Sequence, residues 1–337
     1  GEQAGRVILE AEKIILKEQP DLCLFLGDAN PTLAAIAAAK ANVKVARIEG
    51  GMRSFDWRMP EEKNRVIVDH ISDYIYVYTH RYKEHLLLEG IPGHKIFVVG
   101  NPIVDIVNLY KDRALTESDI LEKKGLSTGR YILVTLHRQE NVDEPKVLAG
   151  IIEGLANTAE ALNMPVYYPM SYRTEQRIAE FRLNIPDVIM TSPPLGFIDF
   201  LKAEQEASII ITDSGTVQEE ASVLNIPCVV ARMSTERPET IEAGGCILAG
   251  TEPDQIKIAA QRLVQADRNW HHILGDGNTS IRILDHLVRL ESEIVDKHFI
   301  PPYVDSRKQL AFSPNFWVND VSGGGWDRPR PMDVDAH

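Results

Sequence analysis

The sequence predicts an α/β protein in which two doubly wound halves, each built around a parallel sheet, face one another across a cleft. The length of 337 residues suits two domains of roughly 100 to 200 residues each. Short apolar runs alternate with helical patterns almost throughout, which is typical of repeated βα units. A polar, helix-prone connector, DRALTESDILEKKGLSTG (residues 112–129), separates the two series.

The first half opens with an amphipathic helix pattern that lacks the apolar region of a signal peptide. Apolar runs rich in Leu, Val, Ile and Tyr then predict four strands, with helices between them. These strands are LCLFL (22–26), VKVARI (43–48), YIYVY (74–78) and IFVVG (96–100), and an alanine-rich helix, TLAAIAAAKA (32–41), follows the first.

The second half begins at YILVTLHR (131–138) and continues with a helix at residues 147–162. Its further predicted strands are PVYYPM (165–170), ASIIITDSG (207–215) and PCVVARM (227–233). We therefore expect an N-terminal Rossmann-like domain at 1–112, a second Rossmann-like domain at 129–278, a C-terminal helix at 279–300 and an irregular tail rich in Pro, Gly, Trp and Asp at 301–337.

The composition limits the possible partners. A formal net charge of −13 argues against a nucleic acid, because such binding draws on clustered Lys and Arg. No run approaches the roughly 18 apolar residues of a membrane helix. Cys23, Cys228 and Cys246 lie in or beside apolar runs without a CxxC pair, so we expect buried free thiols in a reducing compartment and a cytoplasmic protein.

Charged motifs follow the predicted strands of the first half. Asp28 in GDAN stands at the carboxyl end of the first strand, where an acid is also typical of a helix cap. RIEGGMRSFDWRMPEEKNR (47–65) follows the second strand and has no amphipathic period, so a solvated loop is the simpler alternative there. Because ligands bind beyond the carboxyl ends of open parallel sheets, both stretches are candidates for a site.

The second half repeats this placement. Ser214 and Gly215 in TDSGTVQEE put a small turn at a helix N-terminus, which can offer backbone N–H groups to a phosphate, and Glu220 lies six residues past Ser214. The alternative is an ordinary strand–turn–helix connection. LHRQEN places His137 and Arg138 beyond a strand, and TERPE adds Arg237.

Together these motifs resemble the non-hydrolysing UDP-N-acetylglucosamine 2-epimerase family, over residues 5–290. The motifs that carry the resemblance, in chain order, are RIEGGMRSFD, PEEKNRVIVDHISD, VTLHRQEN, PLGFIDFL, TDSGTVQEEA, TERPE and GDGNTSIRI. The resemblance implies two Rossmann-like domains in a glycosyltransferase-B arrangement, usually as a homodimer. It also implies cytoplasmic inversion of C2 of UDP-GlcNAc to give UDP-ManNAc for cell-surface polysaccharide precursors, with no metal or nicotinamide cofactor.

The resemblance also assigns roles to residues. In that family UDP leaves by anti elimination and adds back with the proton returned to C2 from the opposite face, which implies acid/base groups on both faces of the ring. The implied catalytic residues are Asp28, Glu49, Glu61 and His137, the last near the diphosphate. The implied substrate-binding residues are Arg53, Arg65, Arg138, Ser214, Gly215, Glu220 and Arg237, with Glu220 on the ribose.

The sequence departs from the family pattern in three places. The family opens with a strand, a GTRPE-like loop and a further βα unit, and this sequence starts after them, so we expect an incomplete N-terminal domain and either a fragment or a degenerate homologue. Ser171 replaces a histidine, which puts phosphate contacts or allosteric control in question. Gly50 and Met52 are mild changes.

Other functions stay open at this point. The SFDWRMPEE spacing also resembles relatives that act on UDP-2,3-diacetamido sugars, including uronic acids. A hydrolysing relative would release free ManNAc and UDP. A non-catalytic UDP-sugar-binding homologue and a glycosyltransferase of the same architecture are further alternatives, although the set of acids fits elimination better.

Overall fold

The computed structural model describes residues 1–294, with side chains to residue 290. In that part of the chain, all strands belong to two wholly parallel sheets. The first has the order β1-β2-β3-β4, from β1 (Leu22–Leu26), β2 (Lys44–Ile48), β3 (Tyr74–Val77) and β4 (Ile96–Val98). The second has the order β10-β9-β8-β5-β6-β7, from β5 (Ile132–Thr135), β6 (Val166–Pro169), β7 (Ile189–Ser192), β8 (Ile209–Thr212), β9 (Cys228–Val230) and β10 (Cys246–Leu248).

The helices of the first half connect its strands and cover its sheet. They are α1 (Glu2–Glu18), α2 (Ala34–Lys40), α3 (Pro60–Ile71), α4 (His80–Leu88) and α5 (Pro102–Glu117). Small side chains let α2 pack closely: Ala35 and Ala38 are fully buried against Ile15 of α1 and Val45 of β2. The parallel pairing runs in register from Leu26 beside Ile48 to Ile48 beside Tyr76, so the strands end at one common edge.

In the second half, helices cover both faces of the six-stranded sheet. They are α6 (Ile120–Lys124), α7 (Gln139–Val142), α8 (Pro145–Leu162), α9 (Tyr172–Phe181), α10 (Phe197–Gln205), α11 (Gly215–Leu224), α12 (Pro238–Glu242) and α13 (Pro253–Val264). One core lies under α8, α9 and α13, and the other under α10 and α11. Gly154 allows α8 and α13 to approach, because a Cβ there would lie 3.0 Å from Pro253 Cα.

Two helices join the halves. The predicted boundary at residue 112 falls inside α5, which continues to Glu117 and packs against α10 and α11. The last described helix, α14 (Thr279–Ile294), returns to the first half, where Ile283 is buried beside Tyr76. The predicted tail, residues 301–337, and the end of the predicted helix 279–300 lie outside the described residues.

The predicted strands agree with the structure to within a few residues at each end, whereas two short strands were not predicted. β7 has exposed side chains at Met190 and Thr191, so it lacks a continuous apolar run. β10 has only three residues. No helix among residues 1–294 has both the length and the apolar content to cross a membrane.

Candidate active site

A cleft of about 1020 Å³ lies where the carboxyl ends of both sheets meet. Asp28 and Glu61 line it from the first half, and His137, Arg138 and Arg232 line it from the second. In the second sheet β5 lies between β8 and β6, so the crossovers leave β5 in opposite directions. This is the topological switch point at which open α/β sheets bind ligands.

Asp28 is held by an arginine from α3. Its Oδ2 lies 3.0 Å from Nε and 2.5 Å from Nη2 of Arg65, and Arg65 is 2% exposed. The turn of 3₁₀ helix that follows begins after Ala29 and has no side-chain cap, so the capping alternative for Asp28 is not what the structure shows. Two N–H groups of one arginine thus donate to a single carboxylate oxygen and hold Asp28 at the cleft wall.

The two acids of the PEE motif have different surroundings. Glu61 lines the cleft. Glu62 is 1% exposed and accepts hydrogen bonds from the backbone N–H groups of Ser54 (3.1 Å) and Phe55 (2.9 Å), and it pairs with Arg65 Nη1 at 2.7 Å. Glu62 therefore anchors the loop before α3, and Glu61 is the acid that a ligand in the cleft can reach.

Glu49 follows β2 with a left-handed backbone (φ 71°) that directs its side chain inward. Its Oε1 lies 3.4 Å from Nη2 of Arg237. Burial raises the pKa of Glu49 to about 7; the negative charges of Glu219 and Asp28 add to this rise, and Arg237 opposes it. A carboxyl with this pKa can take up and release a proton near neutral pH.

A buried carboxylate, Glu236, is the centre of an arginine cluster. Arg237 Nη1 contacts its Oε1, Arg232 lies 3.0 Å from Oε2, and Arg138 and Arg65 lie 3.5 and 3.6 Å from Oε1. Burial opposes ionisation of Glu236, but the four guanidinium groups hold its pKa well below the usual range. One carboxylate is thus shared by four cations beside the cleft, which favours an anionic ligand there.

Ser214 and Gly215 begin α11, as predicted. Ser214 Oγ caps the helix by accepting from Val217 N–H at 3.4 Å. A Cβ at Gly215 would overlap the guanidinium group of Arg237, so glycine is required for that close approach. Arg237 also lies 2.7 Å from Glu219 through its Nε. The N-terminus of α11 therefore lies directly against Arg237, whose guanidinium group pairs with Glu49, Glu219 and Glu236.

His137 and Arg138 are positioned by a fully buried aspartate, Asp213, at the end of β8. Its carboxylate accepts from the backbone N–H of His137 (3.1 Å) and of Arg138 (3.0 Å). The half-exposed imidazole of His137 has its Nδ1 3.5 Å from Asp213 Oδ1. Adjacent parallel strands place the two motifs together, because β5 and β8 pair in register up to Thr135 and Thr212.

Four of the predicted site residues line the cleft itself: Asp28, Glu61, His137 and Arg138. Among the others, Arg53 and Glu220 pair with residues outside the site. Arg53 is buried and paired with Asp69 at 2.8 Å and Glu89 at 2.7 Å, which places it behind the loop that carries Glu49. Glu220 is 5% exposed and faces Glu204 of α10. Ser171, the residue that replaces a family histidine, caps α9 by accepting from Thr174 N–H.

Three residues of the site were missed by sequence reasoning: Asp213, Arg232 and Glu236. Arg232 lines the cleft while only 2% exposed, and its Nη1 finds no hydrogen-bond partner among the described residues. Asp213 and Glu236 lie inside the chosen motifs TDSGTVQEE and TERPE, and Arg232 lies near the end of the predicted strand PCVVARM. Nothing in the local sequence indicates that these residues are buried or which residues they contact. Across residues 1–294 no group of three or more His, Cys, Asp or Glu side chains could hold a metal ion.

Two parallel sheets facing a cleft lined by carboxylates, a histidine and arginines define an α/β enzyme with two Rossmann-like sets in a glycosyltransferase-B-like arrangement. The family model for UDP-N-acetylglucosamine 2-epimerase matches residues 1–288. The chain belongs to that family of non-hydrolysing epimerases, which confirms the resemblance drawn from its motifs.

Individual relatives agree. The UDP-N-acetylglucosamine 2-epimerase of Methanococcus maripaludis is 41% identical over 286 residues, covering 83% of this chain and 78% of the relative. A crystal structure of the Methanocaldococcus jannaschii UDP-GlcNAc 2-epimerase in complex with UDP-GlcNAc and UDP superimposes on this chain with a TM-score of 0.82 and 40% sequence identity. The match covers 86% of this chain and 81% of the relative. The Pseudomonas aeruginosa UDP-2,3-diacetamido-2,3-dideoxy-D-glucuronate 2-epimerase is 36% identical, and the match covers 86% of this chain and 81% of the relative.

Proposed function

We propose that this protein inverts C2 of UDP-GlcNAc to give UDP-ManNAc. The observation that carries the proposal is the arrangement of charges at the cleft: Asp28 and Glu61 line it, Glu49 lies against Arg237, and arginines of both halves surround Glu236. This arrangement supports proton transfer beside charge stabilisation, as an elimination that releases an anion requires.

The reaction proceeds through two balanced steps. A carboxylate removes the C2 proton, the C2–H electron pair forms the C1=C2 double bond, and the C1–O bond breaks with its electrons on UDP. UDP then adds back to C1 while a proton is delivered to C2 from the other face, and no net oxidation occurs. Glu49 fits one of these acid/base roles because its pKa of about 7 allows both protonation states at neutral pH.

Departing UDP carries its negative charge on the diphosphate, and the second half supplies cations for it. Arg138 and Arg232 line the cleft, and Arg232 Nη1 has a hydrogen atom to donate that no described residue accepts. Ser214 and Gly215 present the N-terminus of α11 beside Arg237. Arginine suits this role because its planar group donates in pairs to phosphate oxygens.

The test is product analysis by chromatography after incubation with UDP-GlcNAc. We expect UDP-ManNAc in equilibrium with substrate and no free sugar. Free ManNAc with UDP would instead show a hydrolysing enzyme. Unchanged substrate with saturable UDP binding would leave two alternatives, a non-catalytic UDP-sugar-binding protein or an enzyme for another UDP-sugar. A new glycoside on an added acceptor sugar would indicate a glycosyltransferase.

A second candidate substrate is a UDP-2,3-diacetamido sugar, including its uronic acid form. It is favoured by Arg58, which lies on the cleft wall 2.7 Å from Asp56 and is otherwise exposed, so its guanidinium group can turn to a sugar carboxylate. The 36% identity to the Pseudomonas enzyme is consistent with this alternative. The substrate with the higher kcat/KM is the one that the enzyme prefers, so measuring kcat/KM for both UDP-sugars decides between the two candidates. Arg58→Gln should lower kcat/KM for the uronic acid form and leave kcat/KM for UDP-GlcNAc unchanged.

We also propose that the protein is a cytoplasmic homodimer that serves polysaccharide precursor synthesis. The proposal is supported by membership of the family and by the nucleotide-sugar substrate proposed above. Sedimentation velocity at micromolar concentration tests the assembly: a single species of twice the 37.8 kDa chain mass is expected, and a monomer at all concentrations would contradict it.

A further inference from the structure

A buried tyrosine of the first half reaches the segment of the second half that carries Arg237. Tyr82 lies on α4 and is fully buried. Its hydroxyl group donates to Oε1 of Glu239, with the backbone carbonyl oxygen of Glu236 as a second acceptor at 3.2 Å. These acceptors stand on either side of Arg237 in the chain, because Glu236 precedes it and Glu239 follows in the first turn of α12. One hydroxyl group therefore links α4 to both flanks of Arg237.

The same tyrosine packs against the loop that carries Glu49. Gly51, two residues after Glu49, has a backbone φ of 75°, and a Cβ there would overlap the carbonyl group of Tyr82. About one turn further along α4, His85 Nδ1 lies 2.9 Å from the carbonyl oxygen of Gly51. Helix α4 is thus in direct contact with the Glu49 loop, so a link from α4 to the second half also fixes this loop.

Contacts within the second half hold the Arg237 segment independently of Tyr82. Gln218 of α11 is fully buried, and its Nε2 donates to the carbonyl oxygen of Arg237 at 3.2 Å. Its Oε1 accepts from the hydroxyl group of Thr235 at 3.0 Å. Arg237 Nε also lies 2.7 Å from Glu219. Removing the Tyr82 hydroxyl group therefore leaves Arg237 on α11 and weakens only the contact with the first half.

We propose that Tyr82 is a positioning residue whose hydroxyl group links the Glu49 loop of the first half to the 236–239 segment of the second half. The link keeps the Glu49 carboxyl group beside Arg237, with Oε1 3.4 Å from Nη2. Its effect on turnover rests on the proposed function, in which Glu49 transfers a proton at C2. A small displacement of an acid/base group lowers the rate of proton transfer more than it weakens nucleotide binding, so Tyr82 acts on kcat.

Tyr82→Phe keeps the buried ring and removes only the hydroxyl group. We expect kcat for UDP-GlcNAc to fall at least about tenfold, and the Kd of UDP by calorimetry to stay within about twofold because Gln218 still holds Arg237. Tyr131→Phe is the matched control, since it removes a buried hydroxyl group that lies 2.5 Å from the carbonyl oxygen of Ala203 and should leave kcat unchanged. Unchanged kcat in Tyr82→Phe, an equal loss in Tyr131→Phe, or a parallel loss of UDP affinity would overturn the inference.

Hydrogen exchange measured by mass spectrometry tests the link without any turnover. In Tyr82→Phe, peptides that span residues 47–53 should exchange about tenfold faster than in the wild type, as for the loss of one hydrogen bond to a charged group. Peptides that span residues 215–224 should keep their wild-type rates. If the wild type does not epimerise UDP-GlcNAc, the proposed function is wrong, and the exchange rates still decide the inference. Wild-type exchange of residues 47–53 in Tyr82→Phe would contradict it.

Glu239 provides the same test from the second half, and it replaces Tyr82→Phe if that variant does not fold. Glu239→Gln keeps an acceptor oxygen for the Tyr82 hydroxyl group and should retain kcat within about threefold. Glu239→Met is similar in size but has no such acceptor, so its kcat should fall at least about tenfold with UDP affinity retained. Equal kcat in the two folded Glu239 variants would show that this contact does not position Glu49.

Discussion

Glu49 Oε1 and Arg237 Nη2 lie 3.4 Å apart, although the two residues are 188 positions apart in the chain. Glu49 follows the second strand of the first sheet, and Arg237 precedes α12 of the second half. This pair joins the acid whose pKa is near 7 to the arginine cluster around Glu236. The proposed chemistry therefore depends on a contact between the halves.

Glu49→Gln should abolish turnover while leaving UDP affinity within about twofold of wild type. The amide keeps the size and the hydrogen bonding of the side chain but cannot take up the C2 proton, so transition-state stabilisation is lost and ground-state binding is kept. Steady-state kinetics and calorimetry with UDP measure the two effects. Glu160→Gln, on the exposed face of α8, is the matched control, and wild-type turnover in Glu49→Gln would show that the assignment of Glu49 is wrong.

The raised pKa of Glu49 also makes stability depend on pH. Between pH 4.5 and 7 the folded chain holds a proton at Glu49 that the unfolded chain releases, so this residue lowers the free energy of unfolding as pH rises, by up to about 1.4 kcal/mol per pH unit. Urea unfolding at pH 5 and 7.5 should show Glu49→Gln gaining stability relative to wild type at the higher pH. Parallel pH dependences of the two proteins would contradict a raised pKa.

Glu61 and Glu62 should separate catalysis from stability. Glu61 lines the cleft, so Glu61→Gln is expected to lose turnover with little change in melting temperature. Glu62 is buried against Arg65, so Glu62→Ala should lower the free energy of unfolding by about 3 kcal/mol, because it removes one carboxylate partner of a buried arginine and the acceptor of two backbone N–H groups. Denaturant unfolding and activity measurements on both variants test these two roles. A Glu61→Gln protein that is active but unstable, with a Glu62→Ala protein that is stable but inactive, would contradict them.

Gly215→Ala should weaken UDP binding by about tenfold or more. The added Cβ occupies the position of the Arg237 guanidinium group, which must move and so loses its ion pairs with Glu49 and Glu219. Gly5→Ala, where nothing lies within 4 Å of the new Cβ, is the control and should bind UDP normally. Unchanged UDP affinity in Gly215→Ala would show that Arg237 and the start of α11 do not hold the nucleotide.

Much of the fold could be predicted from the sequence because parallel strands buried on both faces read as apolar runs. β8 (Ile209–Thr212) is fully buried and its strand was predicted from IIIT, whereas β7, half exposed, was not. The strand order β10-β9-β8-β5-β6-β7 has no local signal, since crossovers are set by packing between distant segments. The family resemblance, rather than periodicity, supplied the overall arrangement.

The sequence motifs identified many residues of the site, but they did not predict which of these residues form ion pairs with one another. Asp28 and Glu61 reach the cleft because both follow turns at the common edge of the first sheet. Arg53 pairs with Asp69 of α3, and Arg65 and Arg138 reach Glu236 from distant parts of the chain. Such long-range contacts have no fixed spacing in the sequence, so a single sequence does not predict them.

Proton NMR of the purified protein with UDP-GlcNAc in D₂O tests the central claim most directly. We expect UDP-ManNAc to form and deuterium to appear at C2 of the sugar, because the C2–H bond is broken and C2 then receives a deuteron from solvent. Formation of UDP-ManNAc with the original hydrogen retained at C2 would contradict solvent exchange through the carboxylates. Neither product nor exchange, in a sample that binds UDP, would contradict the proposed epimerisation of this sugar.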